Sequence, residues 1–233
     1  MRINEITVCD DQTHFLYNGQ QVFKSFTQVL KFHSEGIAAV EDESGWFHID
    51  LQGKAVYNNR YNRAFGYYFE RAAVIESNKW FHINTKGERV YKTQFTWCGN
   101  YQDSICAVKD INNAYYHIDL FGNPIYKQRY NYVGDFKDKY ACVRMENKKY
   151  KHIDKNGNDL NDKSFDDLGV FHKSYATAKD SKGWFHIDKL GKELYKNRYL
   201  GVEPFYNGCA LVETFDEHKL IIDEQGIMIH NLR

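Results

Sequence analysis

Short apolar runs alternate with turn residues along the whole chain, and no stretch keeps a helical period of 3.6 over more than two turns. The segment Gly45–Tyr57 shows the pattern, with an apolar run, then Asp50, then Gly53, then a second short apolar run. An aspartate that caps its own turn and a glycine that takes positive φ are typical of a hairpin. The pattern therefore predicts an all-β protein of short strands joined by tight turns.

This segment returns along the chain at a fixed interval. Clear copies are Lys79–Tyr91, Ala114–Tyr126, Lys149–Asn161 and Gly183–Tyr195, and weaker copies are Thr13–Phe23 and Lys219–Ile229. Successive turn glycines are 34 or 35 residues apart, and such a period is typical of propellers and solenoids. We expect one repeat domain over residues 1–233. Its seven turn glycines are Gly19, Gly53, Gly87, Gly122, Gly157, Gly191 and Gly226.

The length of the repeat limits the architecture. A unit of this size cannot bury its own apolar face, so neighbouring units must stack. One arrangement is a closed seven-bladed β-propeller, and the alternative is an open β-solenoid of stacked hairpins with the weaker end copies as caps. Both end copies keep the glycine, the aliphatic residue that follows it and the overall length, and seven lies within the usual number of blades. The sequence therefore predicts the propeller.

The repeated motif resembles the bacterial WG repeat. The segments Trp46–Gly53, Trp80–Gly87 and Trp184–Gly191 carry the resemblance, which covers nearly the whole chain. They read Trp-Phe-His-Ile-Asp where the family has Trp-Gly-Tyr-Ile-Asp, and Tyr115 and Tyr150 replace the tryptophan in two copies. The chain is thus identified as a divergent relative. The resemblance implies a binding or scaffold module without a catalytic residue set of its own, and some such arrays precede a catalytic domain such as a methyltransferase.

Charge, apolar stretches and cysteine spacing argue against several classes of partner and ligand. Lys plus Arg and Asp plus Glu both number 31, and a formal net charge of zero argues against a nucleic-acid partner. No apolar stretch is long enough for a signal peptide or a membrane span, so we expect a cytoplasmic protein with no membrane partner. The five cysteines lack Cys-x-x-Cys spacing, which favours buried thiols over metal ligands. We expect no metal and no cofactor.

A histidine recurs at one phase of the repeat. Six imidazoles in a ring could serve an enzyme or a metal protein, or each could make a hydrogen bond that joins one blade to the next. Equivalent residues lie a whole blade apart, whereas coordination needs about 2 Å to each nitrogen, so the structural interpretation is favoured. The series comprises His14, His48, His82, His117, His152 and His186.

These observations predict a monomeric, non-catalytic binding or scaffold module for a protein or peptide, with carbohydrate as an alternative ligand. Two other functions stay open: the recognition domain of a larger modifying enzyme such as a methyltransferase, and an enzyme or metal protein that uses the histidine ring. In repeat arrays, binding sites arise where one copy departs from the pattern. Such departures give the candidate binding residues Trp97, Asn100, Asp162 and Glu203.

Overall fold

The computed structural model describes residues 1–232, which form one short 3₁₀ helix, Ile3–Glu5, and 22 β-strands. The strands make seven small antiparallel sheets, numbered 1 to 7 here, each built from consecutive strands. The chain divides into two compact units, Met1–Asn113 with His117–Pro124 and Ala114–Tyr116 with Ile125–Arg233. Each sheet corresponds to one repeat of the sequence.

Sheets 1 to 4 contain strands β1 to β12. Sheet 1 contains Ile6–Val8 (β1), Phe15–Tyr17 (β2) and Gln20–Val22 (β3), and sheet 2 contains Gln28–Val29 (β4), Ala38–Asp42 (β5) and Gly45–Ile49 (β6). Sheet 3 contains Arg63–Tyr68 (β7), Arg71–Glu76 (β8) and Lys79–Ile83 (β9), and sheet 4 contains Trp97–Cys98 (β10), Cys106–Lys109 (β11) and Tyr115–Ile118 (β12).

Sheets 5 to 7 contain strands β13 to β22. Sheet 5 contains Tyr132–Val133 (β13), Ala141–Arg144 (β14) and Tyr150–Ile153 (β15), and sheet 6 contains Asp167–Leu168 (β16), Ala176–Asp180 (β17) and Gly183–Ile187 (β18). Sheet 7 has a fourth strand and contains Gly201–Val202 (β19), Cys209–Glu213 (β20), Lys219–Asp223 (β21) and Met228–Leu232 (β22).

The Asp-x-x-Gly turn ends the third strand of a sheet. In sheet 2, Asp50 Oδ1 accepts hydrogen bonds from the backbone N–H groups of Gln52 and Lys54, both at 2.9 Å. The N–H of Gly53 closes the turn on the Asp50 carbonyl, also at 2.9 Å. The chain then folds back, and Val56 N–H donates to the His48 carbonyl at 2.9 Å. The predicted second short run thus pairs with the third strand.

The linker between repeats carries the chain from one sheet to the next. Tyr61 and Trp46 exchange two backbone hydrogen bonds of 2.9 Å, so Tyr61 still belongs to the edge of sheet 2. Three residues later, Ala64 pairs with Val74 in sheet 3. The chain therefore crosses from sheet 2 to sheet 3 within the three residues between Tyr61 and Ala64.

The middle strands of sheets 2 to 6 are covered on both faces. Ala38, Ala39 and Val40 of β5 are all fully buried, so their run is continuous rather than alternating. Ala39 faces His48 on the neighbouring strand. A small side chain at this register position leaves room for the imidazole, and sheets 3, 5 and 6 repeat the pairing as Ala73–His82, Cys142–His152 and Thr177–His186.

Five of the seven turn glycines, all except Gly19 and Gly191, also receive an aromatic ring from the preceding repeat. A Cβ added to Gly87, whose φ is +77°, would lie 2.3 Å from Tyr57 Cδ1. The first-copy glycine, Gly19, has φ +74° but meets nothing within 4 Å. Gly87 therefore has both a conformational and a packing reason to be glycine, whereas Gly19 has only the first.

The two glycines can be compared by the same substitution. Gly19→Ala should cost about 1–2 kcal/mol of unfolding free energy, the penalty of a left-handed conformation with a Cβ. Gly87→Ala should cost a further ~1–3 kcal/mol because the methyl group overpacks the Tyr57 ring. Urea unfolding of both variants beside the parent protein measures the difference. Equal losses would show that the Tyr57 contact is not a packing constraint.

Candidate binding surface and the buried histidines

Buried histidines of sheets 2, 3, 5 and 6 bond to the following sheet, within or directly after its first strand. The imidazole Nε2 of four of them lies against a backbone carbonyl that is 17 residues further along the chain. A carbonyl oxygen only accepts, so Nε2 carries the proton in each case. The pairs are His48–Phe65 at 2.8 Å, His82–Gly99 at 3.1 Å, His152–Gly169 at 2.8 Å and His186–Glu203 at 2.8 Å.

The second imidazole nitrogen is engaged by a tyrosine nine residues along the chain. Because Nε2 holds the proton, Nδ1 is an acceptor, and the tyrosine hydroxyl donates to it. These pairs are His48–Tyr57, His82–Tyr91 and His186–Tyr195. His48, His82 and His186 therefore have both ring nitrogens occupied, which leaves none for a metal ion.

Burial keeps these imidazoles neutral. It lowers the pKa of His48, His82, His152 and His186 to about 4, and the backbone carbonyls only partly oppose this shift. The unfolded imidazole has a pKa near 6.5, so as the pH falls the unfolded chain binds protons first. Their contribution to stability is complete above about pH 6.5 and is lost as the pH falls towards 4.

The remaining members of the series are His117 and His14, and His14 differs from the others. His117 is buried, with 1 % of its surface exposed. The side chain of His14 is 23 % exposed, and its Nδ1 lies 3.2 Å from the sulfur of Cys9. Nine residues after His14 stands Phe23, which has no hydroxyl to donate. The first-copy histidine thus lacks the tyrosine partner of the later copies.

Removing one tyrosine hydroxyl tests the imidazole contact. Tyr57→Phe leaves the buried Nδ1 of His48 without a donor, which should cost about 1–3 kcal/mol of unfolding free energy. Urea unfolding at neutral pH measures the loss. The matched control is Tyr206→Phe, because Tyr206 is 59 % exposed and should lose less than about 0.5 kcal/mol. A neutral Tyr57→Phe variant would contradict the hydrogen-bond assignment.

A row of facing residues in sheet 5 forms a partly exposed surface of different character. Tyr132 of β13 faces Arg144 of β14, which faces Tyr150 of β15. Facing residues of an antiparallel pair project from the same side of the sheet. Tyr132 is 45 % exposed, and its ring also contacts Tyr115, with centroids 6.0 Å apart. We call Tyr132, Arg144 and Tyr150 the tyrosine–arginine row.

Arg144 has an unsatisfied donor. Its Nε is buried and has no hydrogen-bond partner within residues 1–232. Its guanidinium carbon lies 5.7 Å from the centre of the Tyr150 ring. By contrast, Arg63 at the same level of sheet 3 lies 3.9 Å over the Trp46 ring and donates to Gln28 Oε1 at 2.9 Å. Arg63 is thus used within the fold, while Arg144 still has a donor to offer.

The corresponding rows of sheets 6 and 7 carry different charged residues. In sheet 6 the facing residues are Asp167, Lys179 and Trp184, and the Lys179 ammonium lies 5.7 Å from the Trp184 ring. In sheet 7 the aromatic residues are missing. Gly201, Glu213 and Lys219 face one another there and line a shallow groove of about 240 Å³.

The four candidate binding residues lie in separate places. Trp97 and Asn100, both exposed, bracket Cys98-Gly99 in sheet 4. Asp162 is exposed in the segment before β16. Glu203 follows β19, where its carbonyl receives His186 and its side chain borders the sheet 7 groove. Only Trp97 and Asn100 share a segment, and the four residues belong to three different sheets or the segments that lead into them.

The tyrosine–arginine row was missed at the sequence level, although a signal exists. Trp97 faces Lys109 in sheet 4 as Tyr132 faces Arg144 in sheet 5. Tyr132 follows Trp97 by 35 residues, and Arg144 follows Lys109 by 35 residues, which is one repeat. The repeat therefore relates Trp97 to Tyr132, which lies beside Arg144 in sheet 5.

Comparison with solved structures gives the fold. A eukaryotic initiation factor matches with a TM-score of 0.61 at 12% identity, covering 98% of this chain and 72% of that chain. KlHsv2 with loop 6CD replaced by a Gly-Ser linker matches at 0.54 and 6%, covering 98% and 93%. BamB from Moraxella catarrhalis matches at 0.53 and 13%, covering 98% and 87%. At such low identity the likeness concerns the fold alone, and together with the seven sheets it confirms the predicted seven-bladed β-propeller.

Comparison with family models identifies the repeat. The family described as WG containing repeat matches residues 118–150, which confirms the resemblance carried by the repeated motif. No curated protein sequence matches the chain. Within residues 1–232 the structure has no helix that is long and apolar enough to cross a membrane.

Proposed function

We propose that this chain is a non-catalytic interaction module that recognises a protein or peptide through the tyrosine–arginine row of sheet 5. The observation that carries the proposal is the buried Arg144 Nε with no partner within the described residues. A buried donor without an acceptor costs free energy, and a bound ligand that supplies the acceptor recovers it. Residues 1–233 act in this proposal as a single repeat domain to which no reaction is assigned.

The chemistry of the row defines the class of partner. An arginine prefers a carboxylate, whose oxygens match the guanidinium donors. Tyr132 and Tyr150 flank Arg144 and offer ring faces and hydroxyl groups, which suit apolar or aromatic side chains of a peptide. Tyrosine and arginine are also enriched among the residues that dominate binding at protein interfaces. The expected ligand is a segment with an acidic residue next to an aromatic one.

Three labelled peptide pools test this assignment. Each pool has one central aromatic residue, flanked by glutamate, lysine or glutamine, and is titrated with the full chain by fluorescence anisotropy. The glutamate pool should bind most tightly. Arg144→Gln should weaken that binding about tenfold or more, equivalent to roughly 1.4 kcal/mol, because the charged donor is lost.

Two control variants distinguish binding by the tyrosine–arginine row from a general effect of charge. Glu213→Gln removes a charge at the corresponding level of sheet 7 and should leave the binding of the glutamate pool unchanged. Arg63→Gln removes a positive charge that the fold already uses, so any effect it has should follow loss of stability. Equal binding of all three pools, or an Arg144→Gln variant that binds as the parent does, would refute the proposal.

A further inference from the structure

A six-residue loop in sheet 1 brings together three side chains that bind metals in other proteins. The loop Cys9–His14 connects β1 to β2. The Cys9 sulfur lies 2.7 Å from Asp11 Oδ1 and 3.2 Å from His14 Nδ1, and the carboxylate oxygen lies 4.0 Å from the imidazole nitrogen. Cys9 is buried, Asp11 is exposed and His14 is intermediate, so the cluster opens to solvent on one side.

The loop holds the sulfur with backbone donors. The N–H groups of Thr13 and His14 point at Cys9 Sγ, at 3.3 and 3.2 Å. The loop closes on itself through Cys9 N–H to the His14 carbonyl at 3.1 Å and Gln12 N–H to the Cys9 carbonyl at 3.0 Å. The donor geometry therefore exists before any ligand is bound.

The neighbouring sheet fixes the outer side of the loop. Val29 N–H donates to the Gln12 carbonyl and Phe26 N–H donates to the Thr13 carbonyl, both at 2.8 Å. His14 can turn towards Cys9 because Phe23 stands where later copies have the tyrosine that engages Nδ1. The cluster is thus a departure from the repeat at a place that the fold holds rigidly.

We propose that Cys9, Asp11 and His14 form a three-ligand site for a thiophilic divalent cation of the zinc class. Zinc binds sulfur at about 2.3 Å and nitrogen or oxygen at about 2.0–2.2 Å, so tetrahedral ligand atoms lie roughly 3.3–3.7 Å apart. The observed separations of 2.7 to 4.0 Å bracket that range. On binding, the thiol proton leaves to solvent as the sulfur–metal bond forms, and water takes the fourth position.

The donor set selects the metal. Magnesium and calcium prefer all-oxygen ligands, so a site with one sulfur, one nitrogen and one oxygen disfavours both. Asp11 supplies a carboxylate oxygen on the exposed side of the cluster. One thiolate and one carboxylate balance the charge of a divalent cation.

The chain contains a matched loop without the sulfur. In sheet 7, the N–H of Thr214 donates to the His218 carbonyl at 2.9 Å, and the N–H of His218 donates to Thr214 Oγ1 at 3.0 Å. Asp216 Oδ2 lies 3.2 Å from His218 Nδ1. The Thr214 hydroxyl thus accepts a backbone hydrogen bond from His218, as the Cys9 sulfur does from His14 in sheet 1. Cys9→Thr should therefore keep the loop while removing the thiolate ligand.

Cobalt titration of the reduced, metal-free full chain tests the site. The parent protein should bind one equivalent of Co²⁺ with thiolate-to-cobalt charge-transfer absorption, and Zn²⁺ should displace it. Cys9→Thr should abolish that absorption and weaken Zn²⁺ binding by more than the roughly 10–100-fold that loss of a group hydrogen-bonded to a metal ligand costs. His14→Gln, which keeps the sulfur, should also weaken Zn²⁺ binding.

Two further variants serve as controls for the cobalt titration. Cys209→Ser changes a partly exposed cysteine outside the loop, and His218→Gln changes the matched loop, so both should bind cobalt as the parent does. The urea midpoint of metal-free Cys9→Thr should equal that of the parent, which shows that folding is intact. Absence of stoichiometric cobalt binding, or charge-transfer absorption that survives in Cys9→Thr, would overturn the proposal.

Discussion

The hydrogen bond from a buried imidazole to a backbone carbonyl of the following sheet is the contact on which the other features of the repeat depend. It requires a small residue on the middle strand, such as Ala39 beside His48, because the ring occupies that space. It also requires a donor for the second nitrogen, which Tyr57 supplies from the same repeat. Since a buried polar atom without a partner is costly, the imidazole, the small residue and the tyrosine recur together at His48, His82 and His186.

Because the regular histidines are satisfied within the fold, chemistry available to a ligand arises where a copy departs from the pattern. Arg144 presents a donor without a partner, whereas Arg63 on the first strand of sheet 3 donates to Gln28 within the fold. His14 lacks its tyrosine and meets Cys9 instead. The two proposed sites therefore share one physical origin, although they lie in different compact units and are independent of each other.

The repeat, its turns and the fold class could be predicted from the sequence because each depends on local, periodic residue types. The acceptor of His48 could not, because it is a backbone carbonyl and carries no residue signature. The tyrosine–arginine row requires knowledge of which strand positions face each other, so the sequence pointed to Trp97 and missed Arg144. The Cys9 cluster depends on how one loop closes, and its spacing matches none of the common metal motifs.

The central claim is that the imidazoles of His48, His82, His152 and His186 are neutral and protonated on Nε2, which donates to a backbone carbonyl. Long-range ¹H–¹⁵N correlation spectra of the histidine side chains, recorded from neutral pH downwards, test it directly. The account predicts that His48, His82, His152 and His186 keep the Nε2–H tautomer and do not titrate until the pH approaches about 4. Titration near the ordinary value of about 6.5, or an Nδ1–H tautomer, would contradict the account.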